Sequence, residues 1–376
     1  MKNIGNNGMD SPFADGIGCA KLEDQLTSVQ HKGGVNMKRT TIGIDIAKQV
    51  FELYVEDGAT QVVERRRLSR KKMLPWFANR PPALVGMEAC GGAHYWAREL
   101  TKLGHEVRLI APQYVKPWVQ TNKSDAADAR AICRAVQEPG MRVVGIATEA
   151  QQEVQALHRV RSRLLRQRTA LVNQLHGLLL EYGVAVPRGR AALRQALATF
   201  QAEERGTPLL RQLLAEQQAE LADWDHRLEA VTTRIEQEGS QQPICQRLQT
   251  IPGIGPLTAS ALWVKLAGQA YQHGRHVAAA LGLVPKHEGT GGTVRLGRMS
   301  KRGDRYLRSL LIHGARSVIT HRREKPDPVS RWVHRLVERR GRNKAVVALA
   351  NKNARVAFAL LARAQEYQAT YACRIA

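Results

Sequence analysis

Short apolar runs separated by turn residues dominate the first third of the chain. Residues 40–47, 51–56 and 61–68 are each of strand length, and Asp57-Gly58 supplies a hairpin turn between the second and third. Residues 83–88 form another strand-like run, after which Gly91-Gly92 opens an amphipathic helix through Leu100. Gly104 ends that helix, and residues 105–110 make a further strand before Pro112. Two helices should follow, one around 114–120 and one from Ser124 to Val136 with Ser124 as N-cap. A meander followed by alternating helix and strand predicts a mixed sheet flanked by helices.

The period changes between about 150 and 240. Val154, Leu157, Arg161, Leu164, Arg168, Leu171, Leu175 and Leu178 recur every three or four residues. So do Leu210, Leu214, Gln217, Leu221, Trp224, Leu228, Val231 and Ile235. That pattern is a heptad seam on two long helices, joined through the Gly183–Pro187 region and a shorter helix. It predicts a coiled-coil hairpin or oligomer contact, equally compatible with a plain helical spacer, and nothing in it suggests chemistry.

Beyond Leu248, the run Ile251-Pro252-Gly253-Ile254-Gly255 has the form of a helix-hairpin-helix turn. There Gly253 and Gly255 would let backbone N–H groups approach a phosphate, and the competing reading is an ordinary helix cap and turn. A Gly-rich stretch over 287–297 predicts a loop or hairpin with Thr290, Thr293 and, just beyond it, Ser300 as hydroxyl candidates. Arg295, Arg298, Lys301, Arg302 and Arg305 surround a helix start there and could neutralise phosphates. The segment from Arg331 to Arg355 stays helical and basic.

Charge sharpens the picture. The 57 Lys and Arg against 33 Asp and Glu leave +24, which calls for a polyanionic partner such as nucleic acid. No apolar run was expected to reach the roughly 20 residues that span a bilayer. The five cysteines, Cys19, Cys90, Cys133, Cys245 and Cys373, contain no C-x-x-C pair, so neither zinc nor a disulfide framework is indicated and the expected setting is cytoplasmic. Residues 1–36 lack strand or helix period and an apolar signal segment, and read as a disordered extension. Met37 is the expected natural start, because Lys32-Gly33-Gly34 can be encoded by an AAAGGAGGT-type ribosome-binding sequence.

Four carboxylates then carry the chemistry. Asp45 lies inside the first strand, Glu88 ends a later one, and Asp125 and Asp128 open a helix on one face. Taken singly they pass for caps and surface charges. Together they have the layout of an RNase H-like nuclease core, in which converging carboxylate oxygens hold Mg²⁺ for phosphoryl transfer. Asp45 is placed to bridge two ions, with Glu88, Asp125 and Asp128 completing their shells.

The chain resembles the DEDD transposases of insertion sequences, the family that includes the Piv/MooV invertases and the bridge-RNA-guided recombinases. The stretches that carry the likeness are Gly43-Ile44-Asp45-Ile46-Ala47-Lys48, Met87-Glu88-Ala89-Cys90-Gly91-Gly92, Lys123-Ser124-Asp125-Ala126-Ala127-Asp128-Ala129-Arg130, Ile251–Gly255 and 296–304. The resemblance implies a RuvC-like catalytic domain over 37–148, a coiled-coil helical region over 149–243, and a mainly helical transposase domain with a helix-hairpin-helix over 244–376. It also implies strand cutting and rejoining of donor and target DNA, a guide RNA that selects the sites by base pairing, and a serine nucleophile five residues beyond the Pro of a Gly-Leu-x-Pro segment. Here Gly282-Leu283-Val284-Pro285 puts Thr290 at that place. A threonine hydroxyl is the favoured nucleophile, with Thr293 and Ser300 as substitutes, although its β-methyl crowds the attack. Two rivals remain: a RuvC-like junction-resolving hydrolase, and an impaired relative that only binds nucleic acid. Paired cuts imply a homodimer or homotetramer, associated with the nucleoid when acting.

Overall fold

The computed structural model describes residues 39–58, 60, 63–119, 124–266, 269, 271–290, 293–321, 327–363 and 367–368. Met37 and the expected extension over 1–36 lie outside the described residues. The described chain opens with β1 (Thr41–Ile46), β2 (Val50–Glu56) and β3 (Val63–Ser69), followed by α1 (Met73–Ala78) and β4 (Leu84–Glu88). Next come α2 (Ala93–Lys102), β5 (Glu106–Ile110), α3 (Pro112–Val115), α4 (Asp125–Gln137) and the two-residue β6 (Val143–Val144). The six strands make one sheet in the order β3-β2-β1-β4-β5-β6. β1, β2 and β3 pair antiparallel, β4 and β5 run parallel to β1, and β6 closes the edge antiparallel. The short turns permit the meander, while the parallel step from β1 to β4 needs a crossover.

Two expectations shift here. The helix expected over 114–120 starts earlier and tightens into a 3-10 turn at Lys116–Trp118, since Pro117 lacks the N–H that an α-helix would use. α1 was not foreseen; it holds because Met73 and Phe77, four apart, are both fully buried.

Two helices of 33 residues follow, α5 (Glu149–Glu181) and α7 (Pro208–Ser240), with α6 (Arg190–Ala202) between them. They run antiparallel: Arg161 meets Thr232 at 2.9 Å, while Arg168, seven residues on, meets Asp225 at 3.1 Å, seven residues back. The anticipated seam is buried at Leu164, Leu171, Leu175, Leu210, Leu214, Leu221, Leu228 and Ile235, but Leu179 replaces the expected Leu178. Asp225 gathers Arg168, Arg190 and Arg194 within 3.2 Å, tying the three helices together.

The remainder is mainly helical. It comprises α8 (Pro243–Gln249), α9 (Pro256–Leu266), α10 (Gly274–Ala280), the hairpin of β7 (Pro285–Thr290) and β8 (Thr293–Met299), α11 (Arg305–His321), α12 (Pro328–Arg340) and α13 (Arg342–Arg363). Leu248, Leu262, Leu307, Leu311 and Leu349 form its core, which Val154 of α5 joins. By length and composition α13 could cross a membrane, contrary to the expectation that no run would. It serves instead as a core helix, burying Ala345, Leu349, Ala350, Ala354 and Ala357. A polar knot sits where α5 enters this core. The His158 ring lies 2.9 Å from Tyr306 Oη and 3.1 Å from Ser260 Oγ, and burial pushes its pKa down to about 4.

Candidate active site

Two glycines decide where the acidic residues meet. Gly43 of β1 and Gly86 of β4 lie side by side in register. A Cβ on Gly43 would stand 2.2 Å from the Ala129 carbonyl oxygen, and one on Gly86 would stand 2.8 Å from Val136 Cβ, so both strands leave room for α4. Residues two apart on a strand look to the same face. Asp45 and Glu88 therefore project on the face that α4 covers, and Ile44 and Met87 project into the opposite core with Trp96 and Leu100. β1 and β4 pair through Ile44 and Met87, so Asp45 and Glu88 follow at neighbouring strand ends. Ser124 caps α4 by accepting from the Ala127 N–H, which leaves Asp125 and Asp128 in the first turn above them.

The electrostatics register this convergence. The Asp45 carboxyl is raised to about 6, first by burial and then by the charges of Asp128, Asp125 and Glu88. Burial also raises the Cys90 thiol, with Glu88 and Asp45 adding to it. A fifth acid, Glu52, faces Asp45 across the β1–β2 ladder, but Arg67 pairs with it at 3.2 Å. Among the described residues, no group of three or more His, Cys, Asp or Glu side chains is placed to hold a metal ion, although the charges of Asp128, Asp125 and Glu88 all act on Asp45. Like charges held together cost free energy that a cation would offset, and an all-oxygen donor set suits a hard divalent ion. By donor chemistry alone, the four carboxylates suit Mg²⁺.

The C-terminal candidates lie on a different core. Gly253, at φ 88°, packs on Gly314 of α11 so closely that an added Cβ would stand 2.9 Å from the Gly314 carbonyl oxygen. Asn353 Nδ2 donates to the Pro252 carbonyl at 2.8 Å, so this turn is held from two sides. Gly253 thus has a packing task that the sequence did not reveal, whereas Gly255 is exposed beside the start of α9. Arg295, Arg298, Lys301, Arg302 and Arg305 are all exposed along β8 and the approach to α11. The hairpin is pinned at its base, where Ser300 and Lys301 N–H groups donate to the Val284 and Gly282 carbonyls. Thr290 ends β7 opposite Thr293; its side chain lies outside those described, and Thr293 is exposed. The Ser300 hydroxyl is buried with no hydrogen-bond partner among the described residues. Lys48 and Arg70, on the turns after β1 and β3, were not among the expected site residues, and no spacing along the chain singled them out.

An acidic cluster on a mixed sheet, joined to a basic helical region, defines an enzyme of phosphoryl transfer on nucleic acid. Residues 42–184 match a family model of DEDD type described as a transposase, and residues 245–329 match the model of the IS116/IS110/IS902 transposase family. The two matches flank α6 and α7. A protein of Pseudomonas aeruginosa named "Probable family 20 transposase" is 50% identical over 88% of this chain and 99% of its own length. The transposase for insertion sequence element IS1111A of Coxiella burnetii is 40% identical over 96% of this chain and 99% of its own length. The transposase for element IS1328 of Yersinia enterocolitica is likewise 40% identical, over 85% and 96%. The chain belongs to the IS110-type transposase family, and is an enzyme that cuts and rejoins DNA.

Proposed function

We propose that Asp45, Glu88, Asp125 and Asp128 are the cutting site and that Thr290 supplies the attacking hydroxyl. The observation that carries this reading is the placement of Asp45 and Glu88 at neighbouring strand ends on the face that α4 covers, with Asp125 and Asp128 in its first turn, which agrees with the raised Asp45 carboxyl. Two Mg²⁺ ions bound there would supply charge stabilisation for the attacking and leaving oxygens. The protein's own part is positional: Gly43 and Gly86 seat α4, and α4 aligns the Asp pair over the strand ends. The hydroxyl oxygen bonds to phosphorus as its proton departs, and the phosphodiester P–O bond to the leaving strand breaks. That strand's hydroxyl gains a proton, while the chain keeps the other strand as a phosphothreonine ester. Rejoining reverses the step with a new strand hydroxyl, so no ATP is consumed. Exposure of Thr293 and burial of the Ser300 hydroxyl favour the hairpin tip over its base as the nucleophile's place.

The five exposed cations around the hairpin and the +24 charge suit DNA together with a guide RNA that chooses the site. The carboxylates and the hairpin rest on separate cores, which suits a site completed between subunits of a dimer or tetramer. In the same reading α5 and α7 act as a coiled-coil spacer and α8–α9 as a helix-hairpin-helix. The test is capture of a protein–DNA adduct on the ends of the chain's own element. Thr290→Ala and Asp45→Asn should each abolish the adduct, and a mixture of the two variants should restore it. Normal cutting by Thr290→Ala with no adduct would instead favour a water-using hydrolase. RNA that co-purifies with the chain, once sequenced, tests the guide.

A further inference from the structure

A cavity of about 500 Å³ opens just past the ends of β1 and β4, lined by residues that closely follow Asp45 and Glu88 along the chain. Lys48 enters it from the turn after β1, Arg70 from the turn after β3, and Cys90, Gly91 and Gly92 from the turn into α2. None of its lining residues is acidic. Arg70 donates to the Lys48 carbonyl at 3.3 Å and lies 5.0 Å over the Trp96 ring, which leaves most of its five N–H donors uncommitted. Lys48 is exposed. No side chain caps α2, so the amides of its first turn lack partners within the helix. Trp96, 3% exposed, also lines the cavity, and its indole nitrogen has no hydrogen-bond partner among the described residues. A Cβ at Gly91 would meet nothing within 4 Å, so the backbone there is open to a ligand.

Two cations thus line a cavity free of acidic side chains, beside a helix start and a buried indole nitrogen without a partner among the described residues. We propose that this cavity holds a phosphate of the DNA strand adjacent to the phosphate being cut, with Arg70 and Lys48 as its positioning residues. The division of sign explains the arrangement: the acidic set requires a cation between itself and a phosphate, while the basic cavity takes a phosphate directly. Gripping the neighbour fixes which phosphate reaches the carboxylates, and so the position of the cut. This rests on the acidic set being the cutting site.

The experiment uses the full chain and a duplex carrying its element's end, with single neutral methylphosphonates placed at successive phosphates flanking the cut. One of these substitutions should raise KM about tenfold for the unaltered chain, the worth of one charge-assisted hydrogen bond. Arg70→Gln combined with Lys48→Gln should show a similar loss on native DNA and no further loss on that methylphosphonate. Arg70→Lys should keep the sensitivity, and Gly91→Asp, which sets a carboxylate in open space, should lose it. Losses that multiply, or an unchanged KM in the double variant, would overturn the proposal. So would inhibition by inorganic phosphate with no methylphosphonate effect, which marks a free-anion site. Asp45→Asn separates the two readings: retained cutting there sinks the acidic site, while the methylphosphonate scan read by binding still reports on the cavity.

Discussion

Asp45 shows how one residue's environment reports a site. Its carboxyl is raised to about 6 from the ordinary 3.8, so at neutral pH the fold holds a charge it disfavours. A carboxyl raised on folding contributes stability that is complete below its unfolded pKa and is lost as pH rises through its folded pKa. In the proposed reading Mg²⁺ would take the ionised form and restore what ionisation removes. The rise in melting temperature with Mg²⁺ should therefore be small near about pH 5 and large near about pH 8, on either side of that titration. Asp45→Asn should flatten this difference. Differential scanning calorimetry checks it, and an equal Mg²⁺ shift at both pH values would speak against metal binding at this carboxylate. Asp45 and Glu88 stood out in the sequence as candidates because acids in or at the end of apolar strands are costly and hence informative, and Asp125 and Asp128 because they share one face of a helix start. Arg70 and Trp96 did not, since a lone cation and a core aromatic are ordinary until a cavity joins them.

At the scale of elements, the helix α4 and the strands beneath it frame the proposed site. α4 can lie on β1 and β4 only because Gly43 and Gly86 present no side chain there. Gly43→Ala would force a methyl into the Ala129 carbonyl, lifting α4 and with it Asp125 and Asp128. A loss of roughly 1–3 kcal/mol in stability is expected from such overpacking, with a proportionally larger fall in cutting. Gly177→Ala is the control: it lies in α5 with open space around its Cβ and should stabilise by about 0.5–1 kcal/mol. Urea unfolding of both variants decides the matter, and a neutral Gly43→Ala would sink the account of α4. The long helices α5 and α7 were readable from period alone. What period could not supply was the grip of Asp225 on three arginines, because those partners lie on separate helices.

Across the whole molecule, the sheet unit and the helical unit are linked through the start of α5. Arg98 of α2 donates to the Ala147 carbonyl at 2.8 Å and to Gln152 at 2.6 Å, and the Ala147 N–H donates to His94 at 3.2 Å. The same α5 then buries Val154 and His158 in the helical core. Charge acts at this scale too. If Arg295, Arg298, Lys301, Arg302 and Arg305 each neutralise one phosphate, they alone give log K a slope of about −4 to −5 against log salt on duplex DNA. Arg298→Gln should reduce that slope by about one. Fluorescence anisotropy over a salt series measures both, and a flat response would contradict a phosphate-dominated interface.

Local period and turn chemistry settled the strands and the long helices and singled out the four acids as candidates, because each depends on neighbours within a few residues. Charge composition likewise needed no fold to call for a polyanion. Which acids meet, which glycine packs and which merely turns, and where a cavity of one sign opens beside a cluster of the other depended on contacts between distant segments. Those contacts arise only when α4 settles on Gly43 and Gly86 and when α11 closes on Gly253, and no spacing along the chain encodes such distances.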